Sequence, residues 1–586
     1  MTSFKQQYDE AIQQLTQAGS PYETGIASLN GVDYTAFVKA PPTLLDVYAA
    51  AQEFGDQEFI IYEGERWTYN DLFQHAASLG HQLVNELGLK KGDRVALAMR
   101  NYPEWMTAYI AITSVGGVAV LLNSWGVGPE LEFALENSGS RFLFCDQARH
   151  DLVAPYFDKL DLRAIVARPT NDALSDRAVS MAAFIAGHEN AEMPEVALNG
   201  DDYAMMMYTS GTTGKPKGAP STHRSVMQAI IIFECAAAAQ AMINPQAIGA
   251  MMEKGFSPTQ MLTVPLFHVS GLYAVFLGAL KGGRKIVMMY KWDPVRAMQY
   301  VQEERVTVLT AAPAMVLEFL EHPELEKYDI SSLAGVGGGG SATTPHTAKL
   351  MCERIDNSYP GTGWGMTESN AVGASLSGEP FRQKPKSSGF VHPTVEIRVC
   401  NEAGEDQPPG EPGDLWLKSM ALIQEYWKRP DANAKDFKDG WFNSGDVGYF
   451  DEEGFLFLSD RAKDMVIRGG ENIYPAEIEA AITDHEAVLE VGAFGLPDEK
   501  MGEQLAVAVV HPVLDVERRR DVTNGQLGAE VPCGSLFRLS GGGGRLGGAA
   551  AAGSQWEEQR KSGGNVVWGA HGRSWRGGGA VRWRKP

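Results

Sequence analysis

The sequence predicts an α/β fold: a large N-terminal domain of parallel-rich sheets flanked by helices, a β-barrel-like subdomain, and a small α+β module after it. Three observations carry this. Short apolar runs (94–99, 118–122, 141–145, 261–265, 284–289, 306–310) alternate with helical stretches, which places helices on both faces of parallel sheets. From about Gly389 the texture shifts to short alternating strands between Gly/Pro turns (395–399, 413–417, 454–458), as in a small barrel. At Asp460 a smaller module opens, with Pro475 placed to start a helix over 476–483.

Taken in order, residues 4 to about 18 read as a helix. Pro41 and Pro42 punctuate the chain, and an amphipathic helix starts at Thr43. Residues 66–72 pass from strand to helix, with Thr68 or Asn70 as the cap. The uncharged stretch 105–128 is checked as a membrane span and rejected. Gly116 and Gly117 break it, and Thr113, Ser114, Asn123 and Ser124 add polarity, so it reads as a buried helix, a glycine turn and a buried strand. No transmembrane segment is expected. Near residue 516 the character changes again. The remainder is Gly-rich and basic, holds four of the twelve tryptophans, and cannot bury a core that offsets chain ordering. It reads as a tail not selected to fold, of the kind a shifted reading frame produces. The domains expected are 1–459, 460–515 and 516–586.

At 586 residues the chain is too long for one core. Its 44% hydrophobic and 21% charged residues are ordinary for a globular protein. A formal net charge of −22 argues against nucleic acid as a partner. The five cysteines are scattered and odd in number, so neither a disulfide framework nor a zinc spacing is present, and a cytoplasmic location is expected.

The densest chemistry is YTSGTTGKPKGA (208–219), which follows the apolar run 203–207. Glycines let backbone N–H groups approach an anion. Thr209, Ser210, Thr212 and Thr213 add hydroxyl donors, and Lys215 and Lys217 add positive charge. A Walker A loop cannot be fitted, because Pro216 sits where its helix should start. This loop resembles the signature of the acyl-adenylate-forming (AMP-binding) superfamily, which includes acyl-CoA synthetases, luciferases and peptide-synthetase adenylation domains. Further stretches follow in that superfamily's order across roughly residues 45–512.

The resemblance implies roles residue by residue. Thr209, Ser210, Gly211, Thr212, Thr213, Gly214 and Lys215 would bind the nucleotide phosphates, with Lys217 catalytic. In PLFHVSG (265–271), His268 would line the entrance to the acyl pocket. In GGGGSA (337–342), Gly339 would contact the substrate, and Gly340, Ser341 and Ala342 the nucleotide. In GWGMTES (363–369), Gly363, Trp364, Gly365 and Met366 would bind the nucleotide, the indole stacking on adenine where the family more often has tyrosine. Thr367 would bind the α-phosphate, and Glu368 would hold Mg²⁺, which favours hard oxygen ligands. Asp446, in WFNSGDVG (441–448), would accept from both ribose hydroxyls. In DRAKDMVIRGGENIYP (460–475), Arg461 would bind ribose, Lys463 would be the hinge, and Gly469 and Gly470 would line the thiol channel of a C-terminal lid. Without the motif, Asp446 reads as a structural turn aspartate and Arg461 and Lys463 as a solvated turn.

The activity implied uses ATP, Mg²⁺ and coenzyme A: a carboxylate attacks the α-phosphorus, pyrophosphate leaves, and a thiol then displaces AMP. No protein nucleophile is required, matching the absence of a Gly-x-Ser-x-Gly elbow. The segments 305–315 and 468–479 look most like fatty-acyl and aryl-CoA ligases. The family also carries a lysine near its C-terminus, in a Pro…Gly-Lys segment, that serves adenylation. Nothing after Val510 matches it, and the only lysines of the tail are Lys561 and Lys585. The lid is therefore expected to be incomplete and adenylation impaired. The rival readings are a non-catalytic nucleotide or acyl-adenylate binder and a luciferase-like ligase.

Overall fold

The computed structural model describes residues 3–170, 174–209, 216–338, 343, 345–355, 359–461, 466–468, 471–473, 475, 478, 479, 482, 490–498, 502–510 and 535–538. Two large sheets organise it. The seven-stranded sheet runs Lys217–Thr222, Tyr203–Thr209, Val118–Leu121, Arg94–Ala98, Phe142–Asp146, Arg163–Ala167, Ala178–Ser180, and is parallel except for the first pair. The nine-stranded sheet runs Phe390–Val391, Gly373–Ser377, Tyr359–Gly365, Gly335–Gly338, Val308–Thr310, Thr259–Leu262, Lys285–Met288, Glu58–Tyr62, Glu65–Thr68. Its central strands, from Tyr359–Gly365 to Glu58–Tyr62, are parallel, and hairpins close both ends.

Alternation along the strands explains the layering. Val95 and Leu97 share one buried core with Ile60, Leu262, Ile286 and Met288 of the other sheet, so the inner faces of both sheets meet the same helices. Those helices include Leu44–Gln52, Pro103–Ser114 and His223–Met242. Ala96 and Ala98 face the opposite way, into a core with Leu131, Leu135 and Phe157. Ile61, Met261 and Val287 turn outward to the helices Pro294–Glu304 and Pro313–Glu321. Near-continuous apolar strands are what a parallel sheet covered on both faces requires.

The stretch checked for a membrane span comprises helix Pro103–Ser114, a turn and strand Val118–Leu121, mostly buried, followed by a loop in which Trp125 and Val127 are 54% exposed. Gly116 makes the turn at φ 77°. Thr68 caps helix Tyr69–Asn85, with Asp71 completing a capping box. Among the described residues, one helix is long and apolar enough to cross a membrane, His223–Met242. It lies between the sheets, and its polar side chains have protein partners. Gln228 exchanges hydrogen bonds of 3.0 Å with both backbone groups of Phe37, and Gln240 donates to the Ser375 carbonyl at 3.1 Å.

The β subdomain is a five-stranded antiparallel sheet in which the long strand Trp441–Phe450 pairs with Gly413–Lys418, Phe437–Lys438 and Leu456–Arg461. Beyond it, Val466–Arg468, Glu471–Ile473, Glu490–Asp498 and Gly502–Val510 form a smaller antiparallel sheet. Residues 475, 478, 479 and 482 are helical, on the helix expected after Pro475. Of the segment expected not to fold, Ser535–Arg538 pairs with Gly502–Val510, and the other residues from 511 onward lie outside the described ones.

Candidate active site

The motif segments follow the carboxyl ends of parallel strands in both sheets, where open α/β folds bind ligands. The signature loop joins Tyr203–Thr209 to Lys217–Thr222 as an antiparallel hairpin, with Thr209 opposite Lys217. Ser210, Gly211, Thr212, Thr213, Gly214 and Lys215 lie outside the described residues. The base of the loop is anchored. The Tyr208 hydroxyl donates to Asn137 Oδ1 at 2.8 Å, and the Gly218 carbonyl accepts from Trp427 N–H at 2.8 Å. Thr209 Oγ1 is buried and has no hydrogen-bond partner among the described residues, which is uncommon for an inward polar atom.

Lys217 belongs to the strand rather than to the loop, and it does not reach into open space. Its Nζ donates to Asp436 Oδ2 at 3.1 Å and sits 3.8 Å from the centre of the Tyr426 ring. The Tyr426 hydroxyl donates in turn to Glu368 Oε1 at 2.7 Å. Burial, then the charge of Glu368, push that hydroxyl far above the usual phenol range, so it remains a donor. The Glu368 carbonyl also accepts from Ile423 N–H at 2.9 Å, so one segment holds this residue by backbone and side chain together.

Trp364 ends the strand Tyr359–Gly365, and its Nε1–H donates to Asp446 Oδ2 at 2.8 Å. The ring is 7% exposed and shares a buried cluster with Ala219, Ala374 and Leu417, so most of its surface is covered. A Cβ on Gly365 would lie 2.1 Å from the Ala371 carbonyl oxygen, which only glycine avoids. Asp446 pairs in register with Arg461 across two strands, which brings together the two backbones assigned to ribose. Gly338 stands opposite Thr362, so the glycine run leaves its strand beside the Trp364 strand. Gly339, Gly340, Ser341, Ala342, Lys463, Gly469 and Gly470 lie outside the described residues.

His268 is exposed at the start of the helical segment Val269–Gly271, which continues as a π-helical turn over Leu272–Leu277. Its ring is 4.5 Å from that of Phe267. The same segment carries Tyr273, whose hydroxyl donates to Asn370 Oδ1 at 2.8 Å.

Asn370 was not singled out from the sequence, yet it knits the site together. It follows the 3-10 turn Thr367–Ser369 at φ 52°, a left-handed conformation that asparagine tolerates. Its Oδ1 also accepts from Ser221 Oγ at 2.8 Å, and its Nδ2 donates to the Ala421 carbonyl at 2.7 Å and to Ser225 Oγ at 3.4 Å. Both acceptor and both donor positions of the amide are thus in use at zero exposure. Tyr426 and Asp436 were missed as well. An asparagine two residues after Glu368 could have raised suspicion, but nothing local marks a tyrosine almost 60 residues away.

These contacts draw four distant segments into one place. The AMP-binding enzyme family matches residues 47–427. The chain belongs to that family. Among its relatives, a long-chain-fatty-acid–CoA ligase of Mycobacterium tuberculosis is 34% identical over 445 residues, covering 75% of this chain and 82% of the relative. A feruloyl-CoA synthase of Streptomyces is 32% identical over 452 residues, covering 77% and 84%. Of the solved structures, a fatty acyl-CoA synthetase of M. tuberculosis superimposes with a TM-score of 0.66 at 28% identity, over 83% of this chain and 92% of that one. The o-succinylbenzoate-CoA synthetase of Bacillus subtilis in complex with ATP and magnesium ion gives 0.65 at 28%, over 84% and 94%.

The donors of this candidate site suit a magnesium nucleotide. Among the described residues no group of three or more His, Cys, Asp or Glu side chains gathers. By the family resemblance Glu368 would be the protein ligand, with phosphate oxygens and water filling the remaining positions, as Mg²⁺ prefers. The Tyr426 hydroxyl takes Oε1 of Glu368, and Thr209 Oγ1 is a buried hydroxyl with no partner among the described residues.

Proposed function

We propose that this chain is an AMP-forming acid–thiol ligase that converts a fatty or aryl carboxylic acid to its acyl-adenylate with ATP and Mg²⁺, then transfers the acyl group to coenzyme A. The observation that carries this reading is the joined set Trp364–Asp446 and Lys217–Tyr426–Glu368. It supports the reading because it draws together groups that would suit ribose, metal and phosphate. The names of the relatives, which act on long-chain fatty, ferulic and succinylbenzoic acids, support that substrate class. The chemistry asked of these residues is positioning and charge neutralisation. Mg²⁺ on Glu368 would offset phosphate charge, Asp446 would fix the ribose, and the hairpin base at Thr209 and Lys217 would hold the loop against the phosphates. His268 lies on the segment we assign to the acyl entrance.

Residues 1–459 act in this reading as the nucleotide and acyl domain, and 460–515 as hinge and partial lid. The cytoplasm is the expected location; the four cysteines among the described residues are all free thiols. Because residues 511–586 contain no Gly-Lys segment of the family's kind, adenylation is expected to be slow. Losing one preorganised charged donor typically costs about 10²–10³ in rate. The test is ATP–pyrophosphate exchange over short, medium, long-chain and aryl acids, for this chain and for one with a complete lid grafted after Val510. The graft should exchange at least roughly a hundred times faster, and CoA should then release AMP. Equal rates would remove the account of the tail. No exchange by either protein with any acid would leave a nucleotide or acyl-adenylate binder as the surviving description.

A further inference from the structure

We propose that Tyr426 is a positioning residue that couples the phosphate-loop strand to the metal carboxylate; this rests on the reading of Glu368 given above. The contacts are specific on both sides of the ring. The hydroxyl donates to Glu368 Oε1 at 2.7 Å, leaving Oε2 for a metal, while the ring face receives Lys217 Nζ at 3.8 Å. Lys217 is held from its other side by Asp436 at 3.1 Å.

Tyr426 is itself fixed from several directions. Its N–H donates to Asn433 Oδ1 at 2.7 Å, and Asn433 Nδ2 donates back to its carbonyl at 3.1 Å. Its ring meets those of Phe437 and Phe442 at 5.6 and 6.4 Å, and it is 2% exposed. A side chain this constrained serves as a rigid spacer. It sets the distance between the lysine at the base of the phosphate loop and the Glu368 carboxylate. The hydroxyl also fixes the orientation of the Glu368 carboxylate, which would present Oε2 to a divalent ion in one direction. Orientation of a metal ligand by a neutral donor behind it is a general way to tune affinity.

The test uses the full-length protein, ATP as ligand and Mn²⁺ or Mg²⁺ as probe. ATP affinity is measured by calorimetry in EDTA and again with saturating metal, and the ratio of the two is the metal-linked gain. Tyr426→Phe keeps the ring, its packing and the lysine contact. It should bind ATP in EDTA as the parent does and lose about tenfold of the metal-linked gain, the scale of one hydrogen bond to a charged group. In a Glu368→Gln background the same substitution should change nothing further, whereas a general packing defect would lower affinity equally in both backgrounds. Asn433→Ala, which loosens the Tyr426 backbone without touching Glu368, should reproduce the loss to a smaller degree and serves if Tyr426→Phe does not fold. A metal-linked gain unchanged in both variants would overturn the proposal, as would an effect that persists without Glu368. A parent protein that binds no ATP would instead count against the proposed function.

Discussion

Trp364 shows how one atom changes the use of a position. Tyrosine, the family's more common choice, has its polar atom at the tip of the ring. Indole carries an N–H on its edge, and here that N–H is spent on Asp446 at 2.8 Å. With the ring 7% exposed, its main service in this structure is to hold the carboxylate still. Trp364→Phe should therefore weaken ATP binding by roughly 1–2 kcal/mol through Asp446, and Asp446→Ala by about 1–3 kcal/mol. The double variant should lose little more than Asp446→Ala alone, since the two act as a unit. Calorimetry on the three variants reads this directly, and strictly additive losses would separate the two residues.

At the level of elements, the sequence located about half the strands of the two large sheets to within a few residues, and left others such as Glu58–Tyr62, Arg163–Ala167 and Gly373–Ser377, and the helix His223–Met242, unassigned. Apolar runs bounded by glycine, proline or a cap are local signals, and Thr68, Pro103 and Pro294 start helices as their positions imply. The order of the motifs was equally legible. What could not be read was how the elements are tied together. Asn370 joins strand Lys217–Thr222, helix His223–Met242, the π-helical turn Leu272–Leu277 and the segment at Ala421, partners that lie between 51 and 149 residues away. Such ties depend on which face each side chain takes after folding, and no periodicity reports that. Asn370→Ala would leave the Ser221 and Tyr273 hydroxyls and the Ala421 carbonyl without this buried partner. We expect a loss of about 3 kcal/mol or more in urea unfolding, against about 1 kcal/mol for a typical surface-proximal change. A loss below about 1 kcal/mol would mean that water or a shifted neighbour replaces the amide.

Across the whole molecule, two buried histidines make stability a function of pH. His223 accepts from Leu44 N–H through Nδ1, and His392 accepts from Gly373 N–H through Nδ1, with Nε2 2.9 Å from Ser375 Oγ. Burial pushes both rings down to about 4. The unfolded chain then binds more protons than the folded one between about pH 6.5 and 4, so folding stability falls as the solution is acidified through that window. The expected loss between pH 7 and pH 5 is about 2 kcal/mol for each ring. Chemical denaturation at the two values measures it. His392→Gln should flatten the dependence by about half, and an unchanged slope would mean that the ring titrates normally.

The hydroxyl of Tyr273 has one more implication. It extends from the segment proposed for the acyl entrance and ends on Asn370, which follows the turn Thr367–Ser369, so one hydrogen bond links the two proposed subsites. If the acid and the nucleotide bind on these two sides, a shift of Asn370 caused by one changes the free energy offered to the other. Thermodynamic linkage then requires symmetry: whatever factor the acid contributes to the affinity for the nucleotide, the nucleotide returns to the acid. Measured from either side, the coupling must be one number, and in Tyr273→Phe it should shrink equally from both.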